Sequence, residues 1–201
     1  MRMKLTPRLI LALLFAIVAM PRVCAQVVPA ETRRTFPLSV GAGLSGFDSS
    51  YGSGMLLGGS LWVDYTPTQV PRILQGIGAE LEVRDLSLNR STYQPPNLRE
   101  DTVEGGVIYF WRHFEKLRPY GKFLVGYGNI DYENSSNAGV VRVHDSRTIT
   151  IFGGGVEYQV QQRIWVRGDY EFQNWPDFWK NTTPAGSLNP NGFTAGASYH
   201  F

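Results

Sequence analysis

Eleven charged residues share one face of eight alternating segments in this chain, and that arrangement limits the folds open to it. Alternation with period two marks a strand whose two faces meet different environments. The first segment carries Phe36, Leu38, Val40, Ala42 and Leu44 on one face, and the second Met55, Leu57, Leu61, Val63 and Tyr65. Ile77, Ala79, Leu81 and Val83 define the third; Val103, Val107, Tyr109 and Trp111 the fourth. The second half repeats the scheme with Phe123, Val125 and Tyr127, then Phe152, Val156 and Tyr158, then Ile164, Val166, Tyr170 and Phe172. The eighth segment has Phe193, Ala195, Ala197, Tyr199 and Phe201. These apolar residues fix the parity of each segment. Asp64, Glu80, Glu82, Arg84, Glu104, Arg112, Lys122, Glu157, Arg167, Asp169 and Glu171 then all fall on the opposite face. Random placement would do this about once in two thousand trials.

Two folds satisfy such a pattern. A soluble barrel or sandwich turns the apolar face to a core and the charges to water. A membrane barrel turns the apolar face to lipid and the charges to its lumen. Three features favour the second. Aromatic residues on the apolar face gather at segment ends (Phe36, Tyr65, Tyr109, Trp111, Tyr158, Tyr199 and Phe201), as interfacial girdles require. The connections alternate between long polar ones (roughly 85–102, 129–147 and 174–192) and short ones (around 66–76, 113–120 and 159–163). Only the first long-side connection, near Asp48 to Gly54, is short. The chain also ends on Phe201 within an alternating strand.

The N-terminus carries a basic head (Arg2, Lys4, Arg8), twelve apolar residues from Leu9 to Met20, and Val23-Cys24-Ala25 before Gln26. Twelve residues at 1.5 Å rise are too few to cross about 30 Å of hydrocarbon as a helix, so the segment reads as a secretory signal cleaved between Ala25 and Gln26. Pro21, Arg22 and Val23 suit a lipoprotein cleavage site at Cys24 poorly. Cleavage leaves 176 of the 201 residues and removes the single cysteine, so no disulfide is expected. It also removes four bases (Arg2, Lys4, Arg8 and Arg22) and no acid, so the formal charge falls from +2 to −2 and nothing favours a nucleic-acid partner. The expected organisation is a signal over 1–25, a short periplasmic segment over 26–35 and a barrel over 36–201.

The ending from Phe193 to Phe201 resembles the C-terminal strand signal of bacterial outer-membrane barrels. Leu117-Arg-Pro-Tyr-Gly-Lys-Phe-Leu-Val-Gly-Tyr-Gly128, Gly153-Gly-Gly-Val-Glu-Tyr158 and Arg167-Gly-Asp-Tyr-Glu-Phe-Gln173 are similar to the same group. The resemblance is to the small eight-stranded outer membrane protein β-barrel domain family of OmpA/OmpX type, and it covers the whole mature chain. It implies an all-β, eight-stranded antiparallel up-and-down transmembrane barrel in the outer membrane of a diderm bacterium. It also implies that the barrel-assembly machinery reads Phe193, Tyr199 and Phe201, and that lipid and lipopolysaccharide surround a monomer. Relatives with a periplasmic peptidoglycan-binding domain carry it after the barrel, where this sequence stops.

An eight-stranded barrel has room inside for side chains and little else. The charged face, with Trp62, Phe110, Leu124 and Trp165 on the same parity, is therefore expected to fill the lumen, its opposite charges paired. A narrow cation-leaning channel is the alternative, given the acidic excess. A lipid A-modifying enzyme is the third reading, because His144 and Ser146 share a strand face at i, i+2 beside Asp145. Asn134-Ser-Ser-Asn-Ala-Gly139 resembles the active-site motif of the deacylase type, yet Asn134 stands where that family has its catalytic histidine. His113 and His200 fall near the periplasmic end. No metal-ligand spacing and no cofactor motif emerges, and no catalytic residue is assigned. The outer connections, with Tyr93-Gln-Pro-Pro96 and the aromatics Trp175, Phe178 and Trp179, are the remaining candidates for a surface partner, although Trp175 to Trp179 read rather as an extension of the outer aromatic girdle. The expected function is a structural or surface-interaction role, without enzymatic activity.

Overall fold

The computed structural model describes residues 37–48, 50, 54–67, 70–71, 74–88, 98–136, 139–177 and 186–201, with the side chains of 132–143 left aside. The expected signal, its cleavage site at Ala25 and Gln26, and the segment 26–35 lie outside the described residues. Eight strands follow one another: β1 (Leu38–Asp48), β2 (Met55–Tyr65), β3 (Ile77–Leu88), β4 (Leu98–Phe110), β5 (Leu117–Ser136), β6 (Gly139–Gln159), β7 (Ile164–Asn174) and β8 (Asn191–His200). Each pairs antiparallel with the next, and β1 pairs with β8 from Ser39↔His200 to Asp48↔Asn191, which closes the barrel. Closure removes the open sheet edges that lipid could not satisfy.

The parity read from sequence is the parity of the fold. Along β3, Glu80, Glu82 and Arg84 are buried in the lumen while Ala79, Leu81 and Val83 face out. On β5 the apolar outer face runs from Leu117 to Tyr127 before giving way to Asn129 and Asp131. Those eleven residues, at about 3.3 Å each and tilted by about 40°, span about 25 Å, the height of a barrel's lipid-facing band. Tyr65, Tyr109, Trp111, Tyr158, Tyr199 and Phe201 stand exposed around the end of the barrel that carries the short turns.

The lumen takes large side chains only where a neighbouring strand withdraws its own. Trp62 is 1 % exposed and lies against Gly41, Gly43 and Gly196. A Cβ on Gly41 would overlap the indole, and one on Gly196 would stand 2.7 Å from it. Gly128 makes the same room for Trp175 at the opposite end.

Strand ends depart from the sequence reading in three places. β4 ends at Phe110 with one further rung, Trp111 N donating to Pro119 O at 2.7 Å, before the chain turns over Arg112 and His113. Arg112 is therefore an exposed turn residue and not part of the lumen, which corrects its place in the expected network. β3 and β4 run outward through Leu88 and from Leu98, so much of the expected second long loop is strand. The third expected loop is almost wholly strand: β5 and β6 pair as far as Ser136↔Gly139. β4 accompanies β5 only to Tyr132, and β7 accompanies β6 only to Thr150, so the β5–β6 hairpin projects beyond the barrel.

Candidate functional site

The lumen is built around three cations. Arg84 from β3 donates to Glu82 Oε1 at 2.6 Å, Glu171 Oε2 at 2.8 Å and Glu104 Oε1 at 3.2 Å, and its guanidinium lies 4.6 Å over the Phe47 ring. Thr102 Oγ1 also donates to Glu104 Oε1, at 2.6 Å. Lys122 from β5 donates to Glu82 Oε2 at 2.9 Å and pairs with Glu80 Oε1 at 3.0 Å and with Glu171. Arg167 from β7 donates to Glu80 Oε2 at 2.6 Å and to Asp169 Oδ2 at 3.0 Å, and pairs with Asp64 at 3.4 Å. Tyr120 OH accepts from Arg167 Nε and donates to Asp169 Oδ2, both at 2.6 Å. Each base thus holds at least three carboxylates and spans several strands. Glu82, Glu104 and Glu171 offer oxygens within 4.8 Å of one another, a spacing that would suit a cation, and the cation among them is Arg84.

Above this network the outer mouth is shut by an apolar plug. Phe47, Leu56, Leu86, Leu98, Leu124, Ile130, Ile149 and Ile151 converge there with Trp175 and Leu188, all 2 % exposed or less. Trp175 and Leu188 pair through their backbones at 2.8 and 3.1 Å, which carries the β7–β8 ladder outward, and both side chains are buried in the plug. Trp175 Nε1 donates to Gln173 Oε1 at 2.9 Å, which satisfies the one polar atom that the indole buries. Sequence reading left Trp175 among outer-loop aromatics; its burial shows it to be part of the plug. Below the network, Ile108, Phe110 and Tyr120 pack together, and the half-buried Arg118 lies 3.9 Å over Trp165.

Ten of the eleven charges expected inside are brought together there, and one further acid joins them. Glu100, which the sequence reading assigned to a loop, is fully buried on β4 with no partner for either carboxylate oxygen. Glu157 is likewise buried without a hydrogen-bond partner, with the His200 imidazole nitrogen Nε2 3.9 Å away. Among the described residues the buried set is eight acids against Arg84, Lys122 and Arg167. A carboxyl group buried without a partner must either keep its charge at a cost or bind a proton to lose it, so Glu100→Gln, which carries no charge, is expected to stabilise the barrel by about 1 kcal/mol. Urea unfolding in lipid vesicles measures this, and a lower midpoint would show that Glu100 has a partner after all.

The catalytic candidates come to rest on the outer face of the hairpin. His144 Nδ1 lies 2.6 Å from Asp131 Oδ1, and His144 Nε2 lies 3.2 Å from Ser146 Oγ. Ser146 Oγ donates to Asn129 Oδ1 at the shorter distance of 2.7 Å, so its proton points away from the base that would have to remove it. Asp145 points to the other face and pairs with Arg147 at 3.0 Å. The arrangement staples β5 to β6 across the hairpin. The Asn134–Ser136 stretch has no described side chains. Phe193, Tyr199 and Phe201 all face outward, at 55 %, 39 % and 49 % exposure.

A family model for the outer membrane protein beta-barrel domain matches residues 10–201. The chain belongs to this family. It is an outer-membrane barrel of a diderm bacterium. Solved structures agree on the fold. Neisserial surface protein A is 12% identical, with 82% of this chain and 96% of that chain covered and a TM-score of 0.59. The attachment invasion locus protein Ail of Yersinia pestis is 18% identical over 82% of this chain and 96% of its own, with a TM-score of 0.54. The N-terminal barrel of Pseudomonas aeruginosa OprF is 14% identical, covers 84% and 100%, and has a TM-score of 0.51. No curated protein sequence matches. Family members of this size are for the most part not enzymes.

Proposed function

We propose that this family member works through its outer surface and not through its lumen, as a structural and surface-contact protein of the outer membrane. The observation that carries this reading is the filled interior: cations and acids interlock across the barrel, and the plug of Phe47, Leu56, Trp175 and Leu188 covers the outer mouth. A pore needs a continuous wet path, and an eight-stranded lumen occupied this way offers none. The projecting β5–β6 hairpin supplies the contact surface instead. One neighbour of the same fold, Ail, is named for attachment and invasion, which fits a role of this kind. Lipopolysaccharide surrounds the polar outer rim, where Arg99 bridges Asp85 at 2.9 Å and Asp101 at 3.2 Å. The barrel inserts through the assembly machinery, with Phe193, Tyr199 and Phe201 as its signal, and acts as a monomer without catalytic activity.

Planar-bilayer recording of protein that migrates as a folded, heat-modifiable band tests the closed lumen. The expected trace is silent at every voltage the bilayer withstands. Discrete cation-selective openings would transfer the function to the acidic lumen.

A further inference from the structure

The charges outside the lumen are divided between the two ends of the barrel. Among the described residues the outer rim carries Asp48, Asp85, Asp101, Asp131, Asp145 and Asp177 against Arg99 and Arg147. The short-turn end carries Arg112, Lys116 and Arg163, all exposed, against Glu115 alone. On the outer rim both bases are paired with carboxylates, whereas Arg112, Lys116 and Arg163 have no such partner among the described residues.

The three bases form one arc. Gln159 N donates to Lys116 O at 2.8 Å, which ties the β4–β5 turn to the end of β6. His200 N donates to Arg163 O at 2.9 Å, and Arg163 Nη1 donates to the Tyr199 hydroxyl at 2.9 Å, holding its guanidinium along the girdle. Trp111, 60 % exposed, and Phe114, 53 % exposed, stand in the same arc. Amphipathic rings mark the depth of lipid headgroups. Bases at that depth meet phosphates, and a headgroup that carries no compensating ammonium meets them with a full negative charge.

We infer that the arc formed by Arg112, Lys116 and Arg163 selects anionic phospholipid headgroups, of the phosphatidylglycerol or cardiolipin type, from the leaflet that the short turns contact. This rests on the membrane-barrel reading, in which short turns face the periplasm and the leaflet is the inner one of the outer membrane. Zwitterionic headgroups gain little from the arc, because their ammonium offsets the phosphate. The preference is electrostatic and is screened by salt.

Trp111 serves as the probe. The chain is folded into phosphatidylcholine vesicles containing a minor fraction of either brominated phosphatidylglycerol or brominated phosphatidylcholine. The fluorescence belonging to Trp111 is taken as the difference from Trp111→Phe. The expected result is about tenfold stronger association of the brominated anionic lipid, lost in 0.5 M salt and lost in Arg112→Gln/Lys116→Gln/Arg163→Gln. Equal quenching by the two lipids in the unaltered chain overturns the inference, and so does a preference that the triple variant retains. The substituted residues are exposed turn positions, and a heat-modifiable band confirms that the variant is folded. Absence of that band in the unaltered chain would instead sink the membrane-barrel reading, so the two failures are distinguishable. Both vesicle leaflets have one composition, so the orientation of insertion does not affect the result.

Discussion

Arg84→Met is expected to lower the stability of the folded barrel by about 3–5 kcal/mol, enough to unfold it at urea concentrations where the unaltered chain remains intact. Among the described residues the guanidinium and the Thr102 hydroxyl are the donors to Glu104 Oε1, and the guanidinium joins Glu82 on β3 to Glu171 on β7 across the lumen. Methionine fills a similar volume and leaves these carboxylates facing one another in a closed interior. Glu171→Gln is expected to cost about 1 kcal/mol or less, because Arg84 keeps Glu82 and Glu104 and Lys122 keeps Glu80 and Glu82. The asymmetry follows from the numbers: where eight acids share three bases, losing a base strands several acids, while losing an acid relieves repulsion. Equilibrium unfolding in vesicles, followed by the heat-modifiable band, gives both values. Similar losses for the two variants would mean that the acids are not in excess.

Much of the lumen is legible in sequence because a strand allows no choice of side: once Leu81 and Val83 face lipid, Glu80, Glu82 and Arg84 must face in. Where that rule failed, it failed on strand length. Arg112 obeys the parity of β4 and is still outside, because the ladder ends at Trp111 and the chain turns at Arg112 itself. Glu100 obeys the same parity and is inside, because β4 begins at Leu98, several residues before the apolar alternation becomes visible. Outside the lipid band both faces of a strand are polar, so alternation fades while backbone pairing continues, and the hairpin of β5 and β6 reads as a loop for that reason. The contact between Asp131 and His144 is a matter of hairpin register, which no local pattern of residues reveals. Trp175 was hidden differently. A tryptophan in a polar stretch has the signature of a surface girdle, and only the space left by Gly128 on β5 turns it into a plug.

Shortening the hairpin is expected to leave the barrel folded and to reduce surface attachment by tenfold or more. Tyr132 and Val143 form the hydrogen-bonded backbone pair one step beyond Asp131 and His144, in the same alternation as Ser136↔Gly139, so an Asn-Gly turn that replaces 133–142 between them closes a two-residue hairpin at a register the strands already have. Below that point β5 keeps its pairing with β4 through Tyr132, and β6 meets β7 from Thr150, so no barrel contact is removed. The plug also survives, since Ile130 and Ile149 lie on the barrel side of the cut. The readout is attachment of a non-adherent diderm host to extracellular matrix and to host cells, with the full and shortened chains displayed in equal amount. A tenfold loss, at unchanged heat-modifiability and unchanged resistance of the cells to detergent, would place the contact on the hairpin. Undiminished attachment would move it to the remaining outer loops. If the full chain confers no attachment and its loss instead sensitises cells to detergent, the protein's role is to pack the envelope, and the hairpin is a stiff post within the lipopolysaccharide layer.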